Sequence, residues 1–585
     1  MMQGNFSPDN ELGTHNSNRN KAGMRWTIRP QQDETAVQQL AEALNVEKLV
    51  ARLLLQRGIG TYEEARKFFR PGFTELHDPF LMKDMDRAVA RIEKAIADKE
   101  NILVYGDYDV DGTTAVALMS GFLMEGYAKV ATYIPDRYLE GYGVSAKGID
   151  YAEDNGISLI IALDCGVKAV HQVAYAREKG IDFIICDHHR PGDKLPEAVA
   201  VLDPKREDCT YPYKELCGCG VGFKLIQALA QRQGREVEEL QPYLDLVATA
   251  IGADIVPVTG ENRVLFYFGL ARLNKCPRPG FRALIAQSRK EELNSTDVVF
   301  IIAPRINAAG RMKHGLHAVE LLTETNFQRA TQLAAEIEAF NTERRGLDQE
   351  ITEEALVQIR ENGEEGRFTS VVYKESWHKG VIGIVASRLT ETYYRPTLVF
   401  TRSGGKLAAS ARSVKGFDVY EALEGCAECL EQFGGHKYAA GLTMAEAQYE
   451  IFKERFEKVV SDTIDPSLLI PEIHIDAVIR LGEITPRLLR IIRQFAPFGP
   501  GNLNPLFMAE NLRDTGYARA VGQEGKHLKL SVEQDGVGPI GAIGFNLGDK
   551  LEHVTGGKRF KAVFSLDENE WNGQVSLQLK VRDIN

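Results

Sequence analysis

Short apolar runs alternate with longer amphipathic stretches between residues 100 and 255. The runs NILVY, KVATYI, SLIIAL, DFIIC and AVAVL have the length and aliphatic content of buried strands, and helical stretches separate them. Strands that alternate with helices in this order form parallel sheets whose faces are covered by the helices. The pattern therefore predicts an α/β domain, preceded by a short helical N-terminal part.

The second half of the chain predicts three more parts. Residues 320–362 carry one long helical pattern without proline, which predicts a connecting helix. A second α/β unit follows, with strands at TSVVY, TLVF and LAAS and helices near 381–392 and 446–460. Beyond it, HLKLSVE, KAVFSLDE and VSLQLKV alternate apolar and polar residues between Gly, Asn and Asp turns, which is typical of a small β-barrel.

The predicted fold class is therefore α/β, with two α/β lobes joined by a long helix and followed by a β-barrel. A chain of 585 residues is too long for one hydrophobic core, in agreement with several domains. Residues 1–23 are rich in Asn, Ser and Gly and predict a disordered extension. The other predicted parts are the N-terminal helical part with the first lobe at 24–320, the connecting helix at 321–362, the second lobe at 363–465 and the barrel at 466–585.

Composition narrows the classes of function. The chain is 44% hydrophobic and 26% charged. It has no apolar run of the roughly 18 to 20 residues that span a bilayer, and its eight cysteines form no disulfide framework. We therefore expect a cytoplasmic protein with no membrane partner. The net charge of -12 argues against a protein that coats nucleic acid by bulk electrostatics, although it leaves room for a local basic groove.

Three alternating aspartates, Asp107, Asp109 and Asp111, follow the strand NILVY. Alternate residues of an extended segment point to one side about 6.5 to 7 Å apart, so these carboxylates can converge. Carboxylates that close repel one another, and divalent cations are the simplest way to relieve that repulsion. Taken alone, the pattern fits an ordinary solvated acidic loop equally well.

Further acidic and imidazole groups follow the neighbouring strands. Asp164 ends the run SLIIAL, the triplet 187–189 ends DFIIC, and Asp254 follows a helical run. In open parallel sheets, ligand sites lie at the carboxyl ends of the strands, where the groups that follow strands fall. Carboxylates with imidazole suit Mg²⁺ or Mn²⁺, and two such ions suit phosphodiester hydrolysis. Asp187 is placed to orient an imidazole of the adjacent His188 or His189.

At these positions the chain resembles a known family. The segments DYDVDG, ALDCG, DHH and GADIVP resemble, in that order, the four motifs of the DHH phosphoesterase superfamily. The second lobe, with Gly434, Gly435 and His436, resembles the DHHA1 domain associated with that superfamily. The segments PRINAAGRM, SWHKGVIGIVASR, SARS and PFGPGN resemble its single-strand-specific exonucleases, and the C-terminal β segment resembles an OB fold.

The resemblance implies a 5′→3′ exonuclease that uses two Mn²⁺ or Mg²⁺ ions to degrade single-stranded DNA to mononucleotides. Such an enzyme acts in DNA recombination and in recombinational, mismatch and base excision repair. The implied partners are single-stranded DNA, single-strand-binding protein and a RecQ-type helicase. The implied metal ligands are Asp109, Asp111, Asp164, His188 and Asp254. The resemblance also implies that Asp107 binds a metal ion directly or through another ligand. His189 would face the scissile phosphate and form a catalytic set with Asp187 and His188.

Basic and small polar residues in the same motifs are candidates for binding DNA phosphates. Guanidinium groups suit phosphate oxygens, and Arg311 and Arg412 are the candidates for gripping a 5′-terminal phosphate. Tyr517 and Phe545 in the barrel are either base-stacking residues or core residues. The complete candidate set for DNA and phosphate comprises Arg137, Arg305, Asn307, Arg311, His378, Ser410, Arg412, Gly435 and His436.

Two alternatives stay open from the sequence. One is a DHH-type phosphodiesterase of short oligonucleotides or cyclic dinucleotides, and the extra segment 470–585 argues instead for a long polymer. The other is an inactive replication scaffold on a DHH fold, which loss of ligands would mark. Every carboxylate and both histidines of the motifs are present, which favours an enzyme.

Overall fold

The computed structural model describes residues 23–288, 290–571 and 574–585. All but one residue of the predicted extension at 1–23 lie outside the described residues. Contacts divide the chain into two compact units. The large unit comprises Trp26–Gly310, His314–Ala335 and His474–Asn585, and the small unit contains Arg311–Lys313 and Glu336–Ile473.

The N-terminal part is helical, as the sequence predicts. Its helices start at residues suited to capping: Asp33 accepts hydrogen bonds from the amides of Thr35 and Ala36, and Thr61 forms a capping box with Glu64. The elements are β1 Arg25–Ile28, α1 Glu34–Leu44, α2 Lys48–Leu55, α3 Tyr62–Phe69 and α4 Met85–Ala97.

A parallel sheet forms the centre of the first lobe. Its elements are β2 Asn101–Gly106, α5 Val110–Met124, β3 Val130–Tyr133, α6 Ala146–Asp154, β4 Ile157–Leu163, α7 Val170–Glu178, β5 Asp182–Cys186, β6 Ala200–Leu202, α8 Gly218–Arg232 and α9 Leu244–Ala253. The five strands are parallel in the order β3-β2-β4-β5-β6. Each run predicted as a strand forms one, and the carboxyl ends of all five strands meet at one edge of the sheet.

Helices follow the sheet, and the last of them is long. They are α10 Gly260–Lys275, α11 Pro279–Ser288, α12 Ser295–Asp297, α13 Ala303–Met312, α14 Leu316–Thr323 and α15 Phe327–Glu361. The sequence predicts the connecting helix from 321, whereas α15 begins at Phe327. The reason is local: Asn326 accepts a hydrogen bond from the amide of Arg329, 3.0 Å away, and so starts a new helix.

The small unit contains the second α/β lobe. Its elements are β7 Ser370–Tyr373, α16 Ile382–Tyr393, β8 Thr397–Ser403, β9 Lys406–Arg412, α17 Val419–Glu424, β10 Gln432–His436, β11 Ala439–Met444 and α18 Tyr449–Thr463. The strand order is β10-β11-β9-β8-β7, with β7 and β8 parallel and the other pairs antiparallel. The predicted helices at 381–392 and 446–460 correspond to α16 and α18.

The C-terminal segment forms the predicted barrel. Its elements are β12 Glu472–Ile475, β13 Ala477–Val478, α19 Pro486–Arg493, β14 Phe507–Asp514, β15 Arg519–Val521, β16 His527–Gln534, β17 Val537–Gly544, α20 Leu551–Val554, β18 Phe560–Trp571 and β19 Gln574–Ile584. Strands β14, β18, β19, β17 and β16 pair in that order, and β16 pairs back with β14 to close the barrel. The sheet of the first lobe and this barrel confirm the predicted fold class.

The barrel shares its hydrophobic core with the N-terminal helices. Val37 and Leu53 belong to the same buried cluster as Phe495, Phe507 and Phe564. Burial of apolar surface is the main favourable term in folding, so a shared core joins the two ends of the chain into one cooperative structure. In the part of the chain that the structure describes, no helix combines the length and apolarity needed to cross a membrane.

Candidate metal centre and phosphate-binding residues

The aspartates of the first motif lie directly after a strand, at the N-cap of a helix and in the first turn of that helix. Asp107 directly follows β2 and is buried. Asp109 is the N-cap of α5 and accepts a hydrogen bond from the amide of Gly112 at 3.1 Å, while Asp111 lies in the first turn of the helix. The expected alternation along an extended segment is therefore wrong in detail, because Asp109 starts a helix. The carboxylates still converge, because the helix turns Asp111 back toward the sheet edge.

Asp111 is held by the N-terminus of another helix. Its two oxygens accept hydrogen bonds from the amides of Gly218 and Cys219, at 2.6 and 2.7 Å. Those amides begin α8, whose dipole favours a negative charge at this end. A Cβ at Gly218 would lie 2.5 Å from Cβ of Asp164, so only glycine lets the helix approach this closely. The helix therefore fixes two of the carboxylates relative to each other.

His188 stands at the centre of the carboxylates. Its Nε2 lies 3.2 Å from Oδ1 of Asp164, 3.5 Å from Oδ2 of Asp254 and 3.8 Å from Oδ2 of Asp111. Asp164 itself follows β4 in the left-handed region, at φ 59°, which turns its side chain into the cluster. Three carboxylates around one imidazole nitrogen form an oxygen-rich set with a single nitrogen ligand.

The arrangement fits divalent cations. Within the described residues, Oδ1 of Asp107, Oδ1 of Asp164 and Nε2 of His188 have no hydrogen-bond partner although all three are buried. Buried polar atoms are rarely left in this state unless an ion or water satisfies them. Three groups offer ligand atoms that lie within 4.8 Å of one another, namely Asp107 with Asp109 and Asp164, Asp111 with His188 and Asp254, and Asp164 with His188 and His189. Asp164 and His188 each belong to two of these groups, as expected for neighbouring ions that share ligands.

The protonation of the cluster supports the same conclusion. Burial, followed by the charge of Asp109, raises the pKa of Asp111 to about 7, and burial with the charges of Asp111 and Asp109 raises the pKa of Asp254 to about 8. Burial also raises the pKa values of Asp107 and Asp164 well above their usual range. For His188, burial and the charge of His189 lower the pKa to about 3, so its ring is neutral and can act as a ligand.

Asp187 and His189 form a separate ion pair beside the cluster. Nδ1 of His189 lies 2.7 Å from Oδ1 of Asp187, which also accepts from the amides of His188 and His189. Burial opposes the charged form of His189, yet the bond and charge of Asp187 raise its pKa to about 9. Burial likewise opposes the ionised form of Asp187, but the bond and charge of His189 lower its pKa to about 2. The pair thus keeps a cationic imidazole at the edge of the site.

Tyr142 and Asp203 belong to this region and are not among the residues that the sequence singled out. The hydroxyl of Tyr142 lies 3.2 Å from Nε2 of His189 and 3.4 Å from the carbonyl oxygen of Asp164. Asp203 directly follows β6 and is fully buried, and burial raises its pKa to about 7. Its position after a strand was the available clue for Asp203. Tyr142 lies in a loop, between two glycines with positive φ, and only the folded chain shows its contact.

Three of the predicted DNA-binding residues lie in the large unit. The guanidinium of Arg137 stacks on the ring of Tyr108 at 4.4 Å, and its charge lowers the pKa of Asp107 against the larger effect of burial. Arg137 is therefore close to the acidic cluster. Arg305 and Asn307 lie on α13, where both are half-buried, and Arg305 donates to the carbonyl of Ile301.

The small unit brings several predicted phosphate ligands to the N-terminus of α16. A Cβ at Gly383, in the first turn of this helix, would lie 3.0 Å from Oγ of Ser410 and 3.1 Å from Nη2 of Arg412. Arg412 Nη1 donates to Oγ of Ser410 at 3.1 Å. Arg311 donates to the carbonyl of Gly380 at 3.0 Å, just before the same helix. A guanidinium, a hydroxyl and a helix N-terminus together form an anion-binding arrangement.

The remaining predicted phosphate-binding residues, His378, Gly435 and His436, have different surroundings. His378 lies before α16, where its Nδ1 accepts from the amide of Gly380. Gly435, at φ 152°, packs so closely on β11 that a Cβ would lie 2.4 Å from the carbonyl oxygen of Ala439, so packing requires a glycine at this position. His436 is the last residue of the exposed strand β10.

The two aromatic candidates of the barrel differ in exposure. Tyr517 is exposed and Arg519 stacks on its ring, so Tyr517 belongs to the surface rather than the core. Phe545 is half-buried beside His527 and Lys580. Of the two rings, Tyr517 is therefore the better placed to meet a base.

Family models match three parts of the chain. Residues 101–251 match the DHH family, N-terminal domain, residues 366–462 match the DHHA1 domain, and residues 475–583 match the RecJ OB domain. The candidate metal centre lies in and just after the first of these ranges, and the Ser410 and Arg412 pair lies in the second.

Curated proteins and solved structures give the same picture. The single-stranded-DNA-specific exonuclease RecJ of Bacillus subtilis is 39% identical over 567 residues, covering 96% of this chain and 70% of the relative. The RecJ of Escherichia coli K12 is 34% identical, covering 92% of this chain and 95% of the relative. The crystal structure of RecJ in complex with Mn²⁺ from Thermus thermophilus superposes with a TM-score of 0.83 at 28% identity, covering 96% of this chain and 79% of that one.

Proposed function

The chain belongs to the RecJ family of single-stranded-DNA-specific exonucleases, and on that premise we propose that it degrades single-stranded DNA from the 5′ end to mononucleotides. The proposed reaction is hydrolysis of a phosphodiester bond with two Mn²⁺ or Mg²⁺ ions. It would serve DNA recombination and recombinational, mismatch and base excision repair.

One observation carries the proposal. Acidic and imidazole side chains from four different segments converge beside the carboxyl edge of one parallel sheet, and buried ligand atoms among them lack partners within the described residues. A structural ion-pair network would pair its own charges, whereas here Asp111, Asp164 and Asp254 face a neutral His188. When bound, two divalent cations supply Lewis acidity to a phosphate and to an attacking water.

The chain's own residues supply positioning and charge around that centre. His189 is held as a cation by Asp187, so the positive charge of its ring can stabilise the charge that develops on phosphate oxygens. Arg137, half-buried near Asp107, adds a fixed positive charge beside the acidic cluster. We assign His189 as a catalytic residue, Asp187 as the residue that orients it, and Asp107, Asp109, Asp111, Asp164, His188 and Asp254 as metal ligands.

The phosphate-binding residues of the small unit support recognition of a 5′ end. A terminal phosphate monoester carries more charge than an internal diester, and it binds best where a guanidinium meets a helix N-terminus. Arg412, Ser410 and the first turn of α16 provide that combination, and Arg311 lies beside Gly380 at its start. We assign these residues to the 5′-phosphate, together with His378, and His436 to the nucleotide backbone.

The RecJ OB domain match supports binding of single-stranded DNA. Tyr517 presents an exposed ring with Arg519 stacked on it, a combination that suits sequence-independent stacking of bases. We further propose that single-strand-binding protein and a RecQ-type helicase deliver the substrate, because a single-strand exonuclease needs its strand unwound and presented. An enzyme of this kind acts where chromosomal DNA is processed, and we place it in the cytoplasm.

A digestion assay tests the proposed function. Purified protein with Mn²⁺ is offered single-stranded DNA labelled at the 5′ or the 3′ end, blunt duplex, and a dinucleotide, and His188→Ala serves as the control for contaminating nuclease. We expect immediate release of the 5′ label as a mononucleotide and no digestion of the duplex. Degradation of the dinucleotide alone would support the short-substrate phosphodiesterase, and the absence of all cleavage would support the scaffold.

A further inference from the structure

The segment 497–502, PFGPGN, is not explained by the chemistry above. It links α19 to the barrel and packs on the loop that follows Asp254. The carbonyl of Pro500 accepts a hydrogen bond from the amide of Val258 at 2.7 Å. A Cβ at Gly499 would lie 2.4 Å from Cγ2 of Val258, and a Cβ at Gly501 would lie 3.0 Å from Cγ2 of Thr259. Both glycines therefore permit a close approach of two backbones.

Asn502 and Arg263 fix this segment from its two sides. The side-chain amide of Asn502, which is 2% exposed, donates to the carbonyls of Phe495 and Pro497 and accepts from Nε of Arg57. Arg263, in the first turn of α10, donates to the carbonyls of Phe495, Ala496 and Pro497 on one side and to the carbonyl of Phe68 on the other. Buried hydrogen bonds of this number hold a segment in one conformation because each one broken leaves a desolvated group.

The loop between Asp254 and Val258 is short and strained. Asp254 is the C-cap residue of α9, and the next residue, Ile255, has φ 60° and an exposed side chain. A β-branched residue rarely adopts this conformation, and it persists only where the surrounding structure imposes it. One end of the loop is fixed by α9, and the other end is fixed by the contact of Val258 with Gly499 and Pro500. Asp254 therefore lies between two fixed points, α9 on one side and the contact of Val258 with segment 497–502 on the other.

We propose that segment 497–502 positions Asp254 as a metal ligand, so that the barrel end of the chain sets the affinity of the metal centre for Mn²⁺. Gly499 and Asn502 are then positioning residues that act through Val258. The inference rests on the proposed function for the identity of Asp254 as a ligand. It adds that the C-terminal part serves the metal centre as well as the DNA strand.

Gly499→Ala tests the contact directly, because its new methyl group forces Val258 to move. Mn²⁺ binding is measured without DNA, by the electron paramagnetic resonance signal of free Mn²⁺, and activity is measured against Mn²⁺ concentration. We expect Gly499→Ala to weaken Mn²⁺ binding about tenfold, the lower end of the range for residues that orient metal ligands. Gly482→Ala is the matched control, since its Cβ meets only Val537 Cγ2 at an ordinary 3.6 Å.

A second substitution separates positioning from general damage. In Gly499→Ala, the new methyl group clashes with Cγ2 of Val258, and Val258→Ala removes that group. The double variant Gly499→Ala/Val258→Ala should therefore bind Mn²⁺ more tightly than Gly499→Ala alone. Thermal unfolding in EDTA shows whether each variant is folded. If Gly499→Ala does not fold, Mn²⁺ binding is measured in Val258→Ala alone, which is a milder change. In that case we expect Val258→Ala to weaken Mn²⁺ binding relative to Gly482→Ala.

Several outcomes overturn the inference. It is wrong if folded Gly499→Ala binds Mn²⁺ as tightly as the wild type does, even if the variant's affinity for a single-stranded oligonucleotide falls. If Gly499→Ala does not fold, the same criterion applies to Val258→Ala. It is also wrong if the double variant shows no recovery. Failure of the proposed function has a different signature, since wild-type protein would then bind Mn²⁺ and leave single-stranded DNA intact.

Discussion

His189 Nδ1 lies 2.7 Å from Oδ1 of Asp187, and each residue keeps the other charged although Asp187 is buried and His189 is half-buried. Asp187 immediately follows β5, so the pair is anchored to the sheet edge that also carries Asp164. His188, the next residue in the chain, has the opposite protonation, because burial and the neighbouring charge of His189 lower its pKa to about 3. The two adjacent histidines thus differ in protonation: His188 is neutral, as its proposed role as a metal ligand requires, and His189 is a cation.

The first prediction concerns the pH dependence set by this pair. The pKa of His189 is raised to about 9, so its charge and its share of stability are fully present below about 6.5 and are lost as pH rises through 9. Activity with Mg²⁺ should therefore decline on the alkaline side. In Asp187→Asn the supporting charge is absent, and we expect this alkaline limb to move to lower pH by more than about one unit. Profiles of kcat/KM against pH check this, and an unchanged limb in the variant would exclude a role for the imidazolium.

The second prediction concerns Asp107, whose pKa is raised by burial and then by the charge of Asp109. Without metal, ionising this group opposes folding, so stability in EDTA should fall as pH rises above about 4. Asp107→Asn removes that charge, and we expect it to unfold at a higher temperature than the wild type in EDTA at pH 8. The same variant should lose more than about a hundredfold in activity with Mn²⁺, because a ligand or ligand support is gone.

Calorimetry with and without Mn²⁺ checks the second prediction. Added Mn²⁺ should stabilise the wild type more than the variant, since binding to the folded state alone adds to stability. A variant that is both less stable in EDTA and fully active would show that Asp107 is an ordinary structural carboxylate.

The third prediction concerns the 5′-phosphate. Arg412→Ala removes a guanidinium beside Ser410 and α16. We expect the preference for 5′-phosphorylated over 5′-hydroxyl DNA to fall roughly tenfold or more, because one charge-assisted interaction is lost. The matched control is Arg402→Ala, an exposed arginine of the same unit that pairs with Glu375 and Glu446. Steady-state rates on the two oligonucleotides give the ratio, and equal ratios in wild type and Arg412→Ala would remove Arg412 from the phosphate site.

Much of this architecture could be predicted because short stretches of the sequence determine it. Each strand of the parallel sheet is a compact aliphatic run, and Asp107, Asp164 and Asp187 directly follow such runs, so one rule about sheet edges located them together. The barrel was partly visible for the same reason, through the alternating strands β16, β18 and β19.

The parts that could not be predicted depend on distant contacts or on weak local preferences. Strand β17 has the sequence VGPIGAIG, whose glycines and proline disfavour a strand, yet it pairs with β16 and β19 on its two sides. Arg263 is one of many arginines in the sequence, and only the fold shows that it joins Phe68 to Phe495. The contact of Tyr142 with His189 likewise requires a loop whose course no periodicity describes.

The last prediction concerns Tyr142, whose hydroxyl lies 3.2 Å from Nε2 of His189. The Nδ1 of that ring is already bonded to Asp187, so the Tyr142 hydroxyl is the protein group placed to orient the ring from its other side. We expect Tyr142→Phe to lower kcat about tenfold, the equivalent of one hydrogen bond, with little change in KM for single-stranded DNA. Tyr142→Ala should raise KM as well, because the ring that faces Tyr108 across 6.5 Å is also lost. The control is Tyr151→Phe, a change at a partly exposed tyrosine on α6. A wild-type kcat in Tyr142→Phe would show that the Tyr142 hydroxyl does not orient His189 for catalysis.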